Sequence, residues 1–339
     1  MNAQELTKPA MLCLNNGTLN PESVGWSRTP LITSNIKGDF LRRKKWNYWC
    51  ITSDAALFSA TISHIDYAAS LFVYFYDRLT GEFQEKTVTV PFGIGVNMPE
   101  EVRESVFYDG RQLTIRMIEK PDTTELFVNA KDFGGKPLDA FLEIKRPEDQ
   151  ESLNVVIPWV ATRFQYTAKQ PALPAFGTVE WGGYRYHFDH RNHSFACLDF
   201  GRGKWPYSSE WNWGSASGKD TSGRTVGLNL GGKWTDETGQ NENGVLIDGK
   251  LVKIHEDLEW QYDQADLMAP WTMSSRGSDT VKLTFHPTFE RLAETNLGVI
   301  KSKVNQMFGT YEGMIHTEEY GDVEVKELFG WVEDHEAKW

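Results

Sequence analysis

The segment from residue 181 to residue 218 concentrates side chains that could bind a metal or transfer a proton. His187, Asp189, His190 and His193 lie within "HFDHRNH", and all four are residue types that bind zinc and related metals. On a strand, however, His187 and Asp189 share one face and His190 points to the other. Paired-cysteine and His-Glu-x-x-His spacings are also missing. We therefore predict no metal here, and expect a hydrogen-bonded strand end.

Carboxyl groups and indole rings occur together in this part of the chain. Five of the thirteen Trp lie between residues 181 and 242, and the carboxyl groups there include Asp189, Asp199, Glu210, Asp236 and Glu242. A carboxyl against indole in a dry pocket has its ionised form disfavoured, so its pKa rises and it can donate a proton near neutral pH. Alkene hydration, cyclisation, isomerisation and glycoside cleavage all use such a donor. The alternative for each carboxyl taken singly is that it is a turn residue or an ion-pair partner of Arg185, Arg202 or Lys204.

Glu210 and Asp189 are the candidate acids, and Tyr207 would add a hydrogen bond or stabilise a cation with its ring. The predicted ligand-binding residues are Trp205, Trp211, Asn212, Trp213, Asn229, Trp234, Glu242 and His187. Aromatic walls with a few polar groups are typical of sites for apolar ligands. Aromatic residues also favour strands, so simple packing in a β core remains the alternative.

Glycine-rich segments give little support to nucleotide chemistry. "GLNLGGKW" (227–234) lacks the Gly-Lys-Ser/Thr order of a phosphate loop, and no Gly-x-Ser-x-Gly motif occurs. Gly231 and Gly232 instead favour a turn or bulge that brings the backbone close to a neighbour. The polar segment 231–244 that follows could be ordinary turn structure or could supply polar groups at a barrel mouth.

The elements that position these residues are predicted to be strands. Phe58, Ala60 and Ile62 alternate with polar residues, which is the period of a half-buried strand. Asp-Gly pairs in "YDGR" (108–111) and "GVLIDGKLVKI" (244–254) predict hairpins. Two successive sets of roughly eight short strands indicate an all-β protein of two barrels or sandwiches. A short amphipathic helix is possible only from about Val325.

A proline-containing stretch separates the two sets of strands. "PWVATRFQYTAKQPALPAFG" holds three prolines and precedes a new series of strands. We therefore predict an N-terminal β-barrel domain at residues 1–165 and a C-terminal one at 170–339 that carries the Trp-rich segment. The sequence does not predict the oligomeric state.

Charge and cysteine content limit the class of partner. A net charge of −12 argues against nucleic acid, which needs a basic surface, and "RRKKW" (42–46) is more typical of a solvated strand start. No apolar run is long enough to span a membrane, and the first residues do not resemble a secretory signal. Cys13, Cys50 and Cys197 are odd in number and far apart, which predicts reduced thiols and a cytoplasmic location.

Several motifs resemble a known family along nearly the whole chain. They are "GWSRTPL" (25–31), "KKWNYWCITS" (44–53), "RGKWPYSSEWNW" (202–213), "GRTVGLNLGGKWTDETGQNENG" (223–244), "APWTM" (269–273) and "VNQMFGTYEG" (304–313). They are similar to the bacterial domain of unknown function 2804 family. The plan of two β domains more distantly resembles lipocalin-like proteins of the carotenoid hydratase and tocopherol cyclase type. That resemblance implies tandem calycin-like barrels and an apolar ligand near the domain interface, and it assigns no catalytic residue.

Three functional hypotheses follow from these observations. The first is binding of a hydrophobic, lipid- or isoprenoid-like molecule with a cofactor-free, acid-assisted step upon it. The second is a non-catalytic carrier of the same kind of ligand. The third is a carbohydrate-active protein, which would show two carboxyl groups about 5–10 Å apart across an open cleft.

Overall fold

The computed structural model describes residues 3–296, 298 and 300–339, and most of these residues lie in strands. Besides strands they contain two short 3-10 helices, Pro21–Ser23 and His190–Asn192. The prediction of an all-β protein is confirmed. No helix in the described part of the chain is long and apolar enough to cross a membrane. Met1 and Asn2, which begin the predicted first domain, lie outside the described residues.

The first half of the chain forms a large curled sheet beside a small parallel pair of strands. Its strands and the pair are β1 (Ala10–Met11), β2 (Trp26–Ser27), β3 (Ile32–Thr33), β4 (Arg43–Thr52), β5 (Ala56–His64), β6 (Ala68–Asp77), β7 (Phe83–Pro91), β8 (Val106–Asp109), β9 (Thr114–Glu119), β10 (Thr123–Phe133), β11 (Lys136–Lys145), β12 (Leu153–Val160), β13 (Arg163–Trp181), β14 (Tyr184–Phe188) and β15 (Phe195–Lys204). β1 pairs with β3. The sheet follows the order β7-β6-β5-β4-β15-β13-β11-β10-β9-β8, with β12 and β14 also paired to β13 and β2 paired to β12.

The second half forms a separate antiparallel sheet. Its strands are β16 (Ser208–Lys219), β17 (Thr225–Gly232), β18 (Gly244–Ile247), β19 (Lys250–Lys253), β20 (Leu258–Gln261), β21 (Trp271–Ser275), β22 (Val281–Asn296), β23 (Lys301–Thr317) and β24 (Gly321–Lys338). They follow the order β19-β18-β17-β16-β24-β23-β22-β21-β20. The chain therefore passes from one sheet to the other between Lys204 and Ser208.

Each sheet curls around its own apolar core, and the two sheets also pack against each other. Trp49 and Phe58 lie in the core of the first sheet, and Phe285 lies in that of the second. Side chains on the opposite faces, such as Tyr74 and Trp331, form a third cluster where the sheets meet. We call this contact the sheet interface. Because it buries the second face of several strands, those strands lie between two apolar layers.

From Arg163 onward, the proline-containing stretch forms part of one long strand, whereas its first proline, Pro158, lies on β12. β13 continues through it, with a bulge between Gln170 and Leu173 at which Ala172 has a φ of 58°. This bulge contacts the second sheet, because the Ala172 amide donates to Ser217 Oγ at 2.9 Å. Sheet membership does not by itself define independently folding units, so the domain limits 1–165 and 170–339 stay a prediction.

The short helix predicted from about Val325 is wrong, because this segment belongs to β24. The register of β24 shifts beside Tyr311 and Gly313, and Glu327 has a φ of 53°. This bulge advances the buried face of the strand by one residue. Val325, Leu328 and Val332 therefore all reach the same core, at spacings of three and four residues that imitate a helix.

Candidate functional site

A buried lysine joins the two sheets at their interface. Lys169 on β13 lies with its Nζ 2.9 Å from Asp199 Oδ1 on β15 and 3.1 Å from Glu242 Oε2 in the β17–β18 loop. All three residues are buried, with Lys169 only 3% exposed and Glu242 only 1%. Burial raises the pKa of Glu242, an effect that the Lys169 charge opposes and the Asp199 charge reinforces. We call these three residues the lysine cluster.

Aromatic and amide side chains fix the geometry of the lysine cluster. Trp234 Nε1 donates to Glu242 Oε1 at 2.8 Å, and Asn229 Nδ2 donates to the Glu242 main-chain oxygen at 2.6 Å. Trp213 Nε1 in turn donates to Asn229 Oδ1 at 2.9 Å, and its ring centroid lies 4.3 Å from Lys169 Nζ. The ammonium is thus held by two carboxylates and an indole face.

The glycine pair at the end of β17 permits this arrangement. A Cβ atom on Gly231 would lie 2.4 Å from Glu242 Cγ, closer than carbon atoms approach. The Gly231 amide also donates to Asn243 Oδ1 at 2.7 Å. The predicted close approach of the backbone to a neighbour is therefore confirmed, and it gives Glu242 space beneath the strand. The predicted turn or bulge is wrong, because Gly231 and Gly232 pair in unbroken register on β17.

A second buried carboxyl lies on β24. Glu333 Oε1 accepts from Gln306 Nε2 at 2.8 Å, and Gln306 Oε1 accepts from the Tyr74 hydroxyl at 2.9 Å across the sheet interface. The Trp211 side chain also hydrogen-bonds to Glu333. Burial raises the pKa of Glu333 to about 7, against the opposing charges of Arg291 and Lys169. A substantial fraction of this carboxyl is therefore protonated at neutral pH.

An ion pair between an arginine and a glutamate completes the charges at the sheet interface. Arg291 on β22 binds Glu85 on β7 through both carboxylate oxygens, at 2.9 and 2.7 Å, and lies 4.3 Å above the Tyr74 ring. Two cations, Lys169 and Arg291, thus face four carboxyl groups. A dry region with more carboxyl groups than cations favours retention of a proton.

Indole rings pack together beside this polar region. Trp205 and Trp234 are buried and stack at 5.3 Å, and four further indoles complete what we call the indole cluster. The four are half-buried and comprise Trp46, Trp159, Trp211 and Trp339. Trp211 packs 3.8 Å from the His335 ring, whose pKa burial lowers to about 3, so this imidazole is neutral. Trp211 links the cluster to Glu333.

A comparison with known protein families tests the family resemblance that the sequence motifs suggest. The model of the family described as Domain of unknown function (DUF2804) matches residues 3–339. The chain belongs to this family. No curated protein matches it.

Solved structures share the fold of this DUF2804 protein. Kievitone hydratase from Nectria haematococca superposes with a TM-score of 0.52 at 10% sequence identity, covering 85% of this chain and 88% of that one. CghA superposes with a TM-score of 0.49 at 13% identity, covering 91% of this chain and 93% of its own. The two curled sheets thus form a two-domain lipocalin-like fold, as the resemblance implied.

The structure brings six of the predicted ligand-binding residues of the DUF2804 protein together. Trp205, Trp211 and Trp234 belong to the indole cluster, while Trp213, Asn229 and Glu242 surround Lys169. Asn212 is buried but bonds to the Tyr262 hydroxyl and to the Glu333 main-chain oxygen, each at 3.1 Å. It therefore orders β16 against its neighbours and does not reach the lysine cluster.

The three predicted catalytic residues and His187 lie elsewhere. Glu210 and His187 are exposed, and Tyr207 is 45% exposed with Arg42 above its ring at 5.3 Å. Asp189 caps the 3-10 helix His190–Asn192 and pairs with Arg191, which lowers its pKa to about 2, the opposite of what a proton donor needs. Their roles stay predictions, but the burial on which these were based is missing at Glu210 and Tyr207.

Sequence reasoning missed the residues that link the sheets. Lys169 could have been found, because it is the one charged residue between Arg163 and Glu180 in a long apolar and polar-uncharged run. Glu333 could not, since it precedes Asp334 and Glu336 in a segment that resembles a solvated end.

Two surface grooves of about 430 and 550 Å³ are lined by other residues of the DUF2804 protein, and neither borders the indole cluster.

Proposed function

We propose that this chain binds a hydrophobic small molecule, lipid- or isoprenoid-like, at the indole cluster and catalyses a cofactor-free, acid-assisted step upon it. Glu333 is the proton donor in this proposal. The observation that carries it is a buried carboxyl directly behind Trp211, in an interface where four carboxyl groups face two cations. Hydration, cyclisation and isomerisation all begin with such a proton transfer.

The chemistry of each partner fits this sequence of events. Protonated Glu333 would give its proton to an alkene carbon of the ligand, leaving a carbocation and a carboxylate. An indole face such as that of Trp211 stabilises a nearby cation. Water addition would then give an alcohol, whereas proton loss would give an isomer, and either step returns a proton to Glu333. The fold shared with a protein named kievitone hydratase supports hydration among these outcomes.

Access to Glu333 depends on Trp211 in this proposal. The ring is half-buried, contacts Trp205 and Trp339, and hydrogen-bonds to Glu333. A ligand that stacks on the exposed edges of the cluster would have to displace this indole to reach the carboxyl. Because the pKa of Glu333 is raised to about 7, its protonated fraction, and with it the reaction rate, should fall as the pH rises above neutrality.

The first experiment is native mass spectrometry of the purified protein, followed by titration with farnesol and oleate. Binding should change the fluorescence of the indole cluster. Farnesol and squalene would then be incubated with protein in D₂O, and products would be examined for incorporated deuterium. Glu333→Gln should bind like the unaltered protein and form no product, while Glu210→Gln and Asp189→Asn should leave turnover unchanged. Loss of turnover only in the latter two variants would return the catalytic role to the residues predicted from sequence.

A non-catalytic carrier is the second candidate, and the complete hydrogen bonding of Glu333 favours it. A carrier would bind the probes without deuterium incorporation. The carbohydrate hypothesis has less support, because Asp199 and Glu242 bind the same ammonium in a buried region instead of facing each other across an open cleft. The buried thiols of Cys13, Cys50 and Cys197 support a cytoplasmic location for either candidate.

A further inference from the structure

Four large apolar side chains project from one end of the first sheet. Phe40, Leu41, Phe92 and Ile94 are 59%, 45%, 62% and 72% exposed. Single exposed apolar residues are common on proteins, but a group of them at one place marks an interaction site. We call these four residues the apolar tip.

Hydrogen bonds hold the two loops of the apolar tip at the same sheet edge. The Leu41 amide donates to Asp66 Oδ2 at 2.7 Å, and the Phe92 amide donates to the Tyr67 main-chain oxygen at 2.9 Å. Asp66 and Tyr67 form the turn between β5 and β6. The loops before β4 and after β7 therefore lie on either side of this turn, at the same end of the strands.

The backbone is strained where it presents these side chains. Leu41 has a φ of 80° and Phe92 a φ of 52°, in the left-handed region that bulky residues rarely occupy. Such conformations cost free energy and persist where surrounding contacts or a function require them. Here hydrogen bonds to the β5–β6 turn hold the two residues in this conformation, in which their apolar side chains face water.

Basic residues surround the tip in a chain that is otherwise acidic. Residues 37–45 carry five basic side chains and one acidic one, although the whole chain has a net charge of −12. Asp66 and Glu100 pair with Arg43 and Lys45, and Lys44 is buried. Arg42 donates to the Trp339 main-chain oxygen at 2.8 Å and lies over the Tyr207 ring, so the exposed excess charge rests mainly on Lys37. Exposed apolar side chains beside cationic ones match the hydrocarbon boundary and the charged headgroups of an anionic bilayer.

We propose that the apolar tip docks this chain onto an anionic membrane surface. Phe92 and Ile94 enter the boundary between headgroups and acyl chains, and Lys37 lies against the headgroups. The surface shares no residue with the lysine cluster, Glu333 or the indole cluster. Membrane docking and the proposed reaction can therefore be tested separately.

Vesicle co-sedimentation tests this docking with the full-length chain. The protein should pellet with phosphatidylglycerol-containing vesicles and much less with pure phosphatidylcholine vesicles, and 0.5 M salt should weaken the binding. The double variant F92S/I94S should reduce the partition coefficient at least tenfold, because two exposed apolar side chains no longer insert. Lys37→Glu should reduce it about fivefold or more.

A matched control uses the exposed apolar residue at the far end of the same strands. Leu79 is 78% exposed in the β6–β7 turn, and Leu79→Ser should bind vesicles like the unaltered protein. Urea midpoints of all variants confirm that each one folds. The proposal is overturned if the chain fails to pellet with anionic vesicles, if it pellets equally with neutral ones, or if Leu79→Ser weakens binding as much as the F92S/I94S variant.

Discussion

Replacing Lys169 by methionine should leave two carboxyl groups facing each other in a dry interface. The ammonium lies 2.9 Å from Asp199 and 3.1 Å from Glu242, and Lys169 is only 3% exposed. Removing one partner of a buried ion pair costs about 3–5 kcal/mol. Because two carboxylates lose their counter-ion here, we expect a loss of about 4 kcal/mol at pH 8.5, which is a large part of the stability of an ordinary domain.

The sign of the pH dependence distinguishes this effect from simple loss of packing. Burial already raises the pKa of Glu242 in the folded protein, and loss of the Lys169 charge raises it further. The folded state then binds more protons than the unfolded state, so stability falls as pH rises through the window between the unfolded and folded pKa values. Lys169→Met should therefore be less destabilised at pH 6 than at pH 8.5.

Urea unfolding followed by Trp fluorescence measures both quantities. A double variant, Lys169→Met with Glu242→Gln, provides the control, since it removes one of the two stranded carboxylates and should recover part of the loss at pH 8.5. A loss below about 1 kcal/mol, or an equal loss at both pH values, would refute the assignment of Lys169 as a buried counter-ion.

Three further predictions follow from other buried groups. The unaltered protein should lose up to about 3 kcal/mol of stability between pH 5 and pH 8, because the pKa of Glu333 is raised from 4.5 to about 7 on folding; Glu333→Gln should flatten this slope in the same urea experiment, and an unchanged slope would contradict the shift. Gly330→Ala should cost about 2 kcal/mol, since its Cβ would lie 2.2 Å from the Ser215 main-chain oxygen, whereas Gly277→Ala in an open loop should cost little; equal urea midpoints would argue against the close contact. Burial raises the pKa of both the Cys50 and Cys197 thiols, so Ellman's reagent should label them at pH 8 only after urea unfolding, and rapid labelling of the folded protein would show that the interface opens.

Periodicity predicted the strands and hairpins correctly, but it predicted burial on only one face of each strand. Phe58, Ala60 and Ile62 are fully buried, as the alternation in β5 indicated. Ser59 and Thr61 on the other face are also buried, because the second sheet covers them. A period of two identifies which residues share a face, whereas it cannot show that a distant part of the chain covers the opposite face.

The same limit explains why the exposure of the basic residues at the start of β4 was predicted wrongly. The sequence "RRKKW" indicated a solvated strand start, yet Lys44 is fully buried between the rings of Tyr67 and Trp339, and burial lowers its pKa to about 8. Trp339 lies almost three hundred residues away in sequence. Local composition predicted neither the contact between Lys44 and Trp339 nor the burial of Glu333, because both depend on pairing between distant segments of the chain.

The distribution of charges across the sheet interface makes the two halves dependent on each other during folding. Lys169 lies in the first sheet and Glu242 beside the second, while Glu85 lies in the first and Arg291 in the second. Either half produced alone would contain a charged side chain without its counter-ion. The aromatic rings of the sheet interface would also be exposed to solvent. Each half therefore depends on the other to complete its ion pairs and to cover these rings.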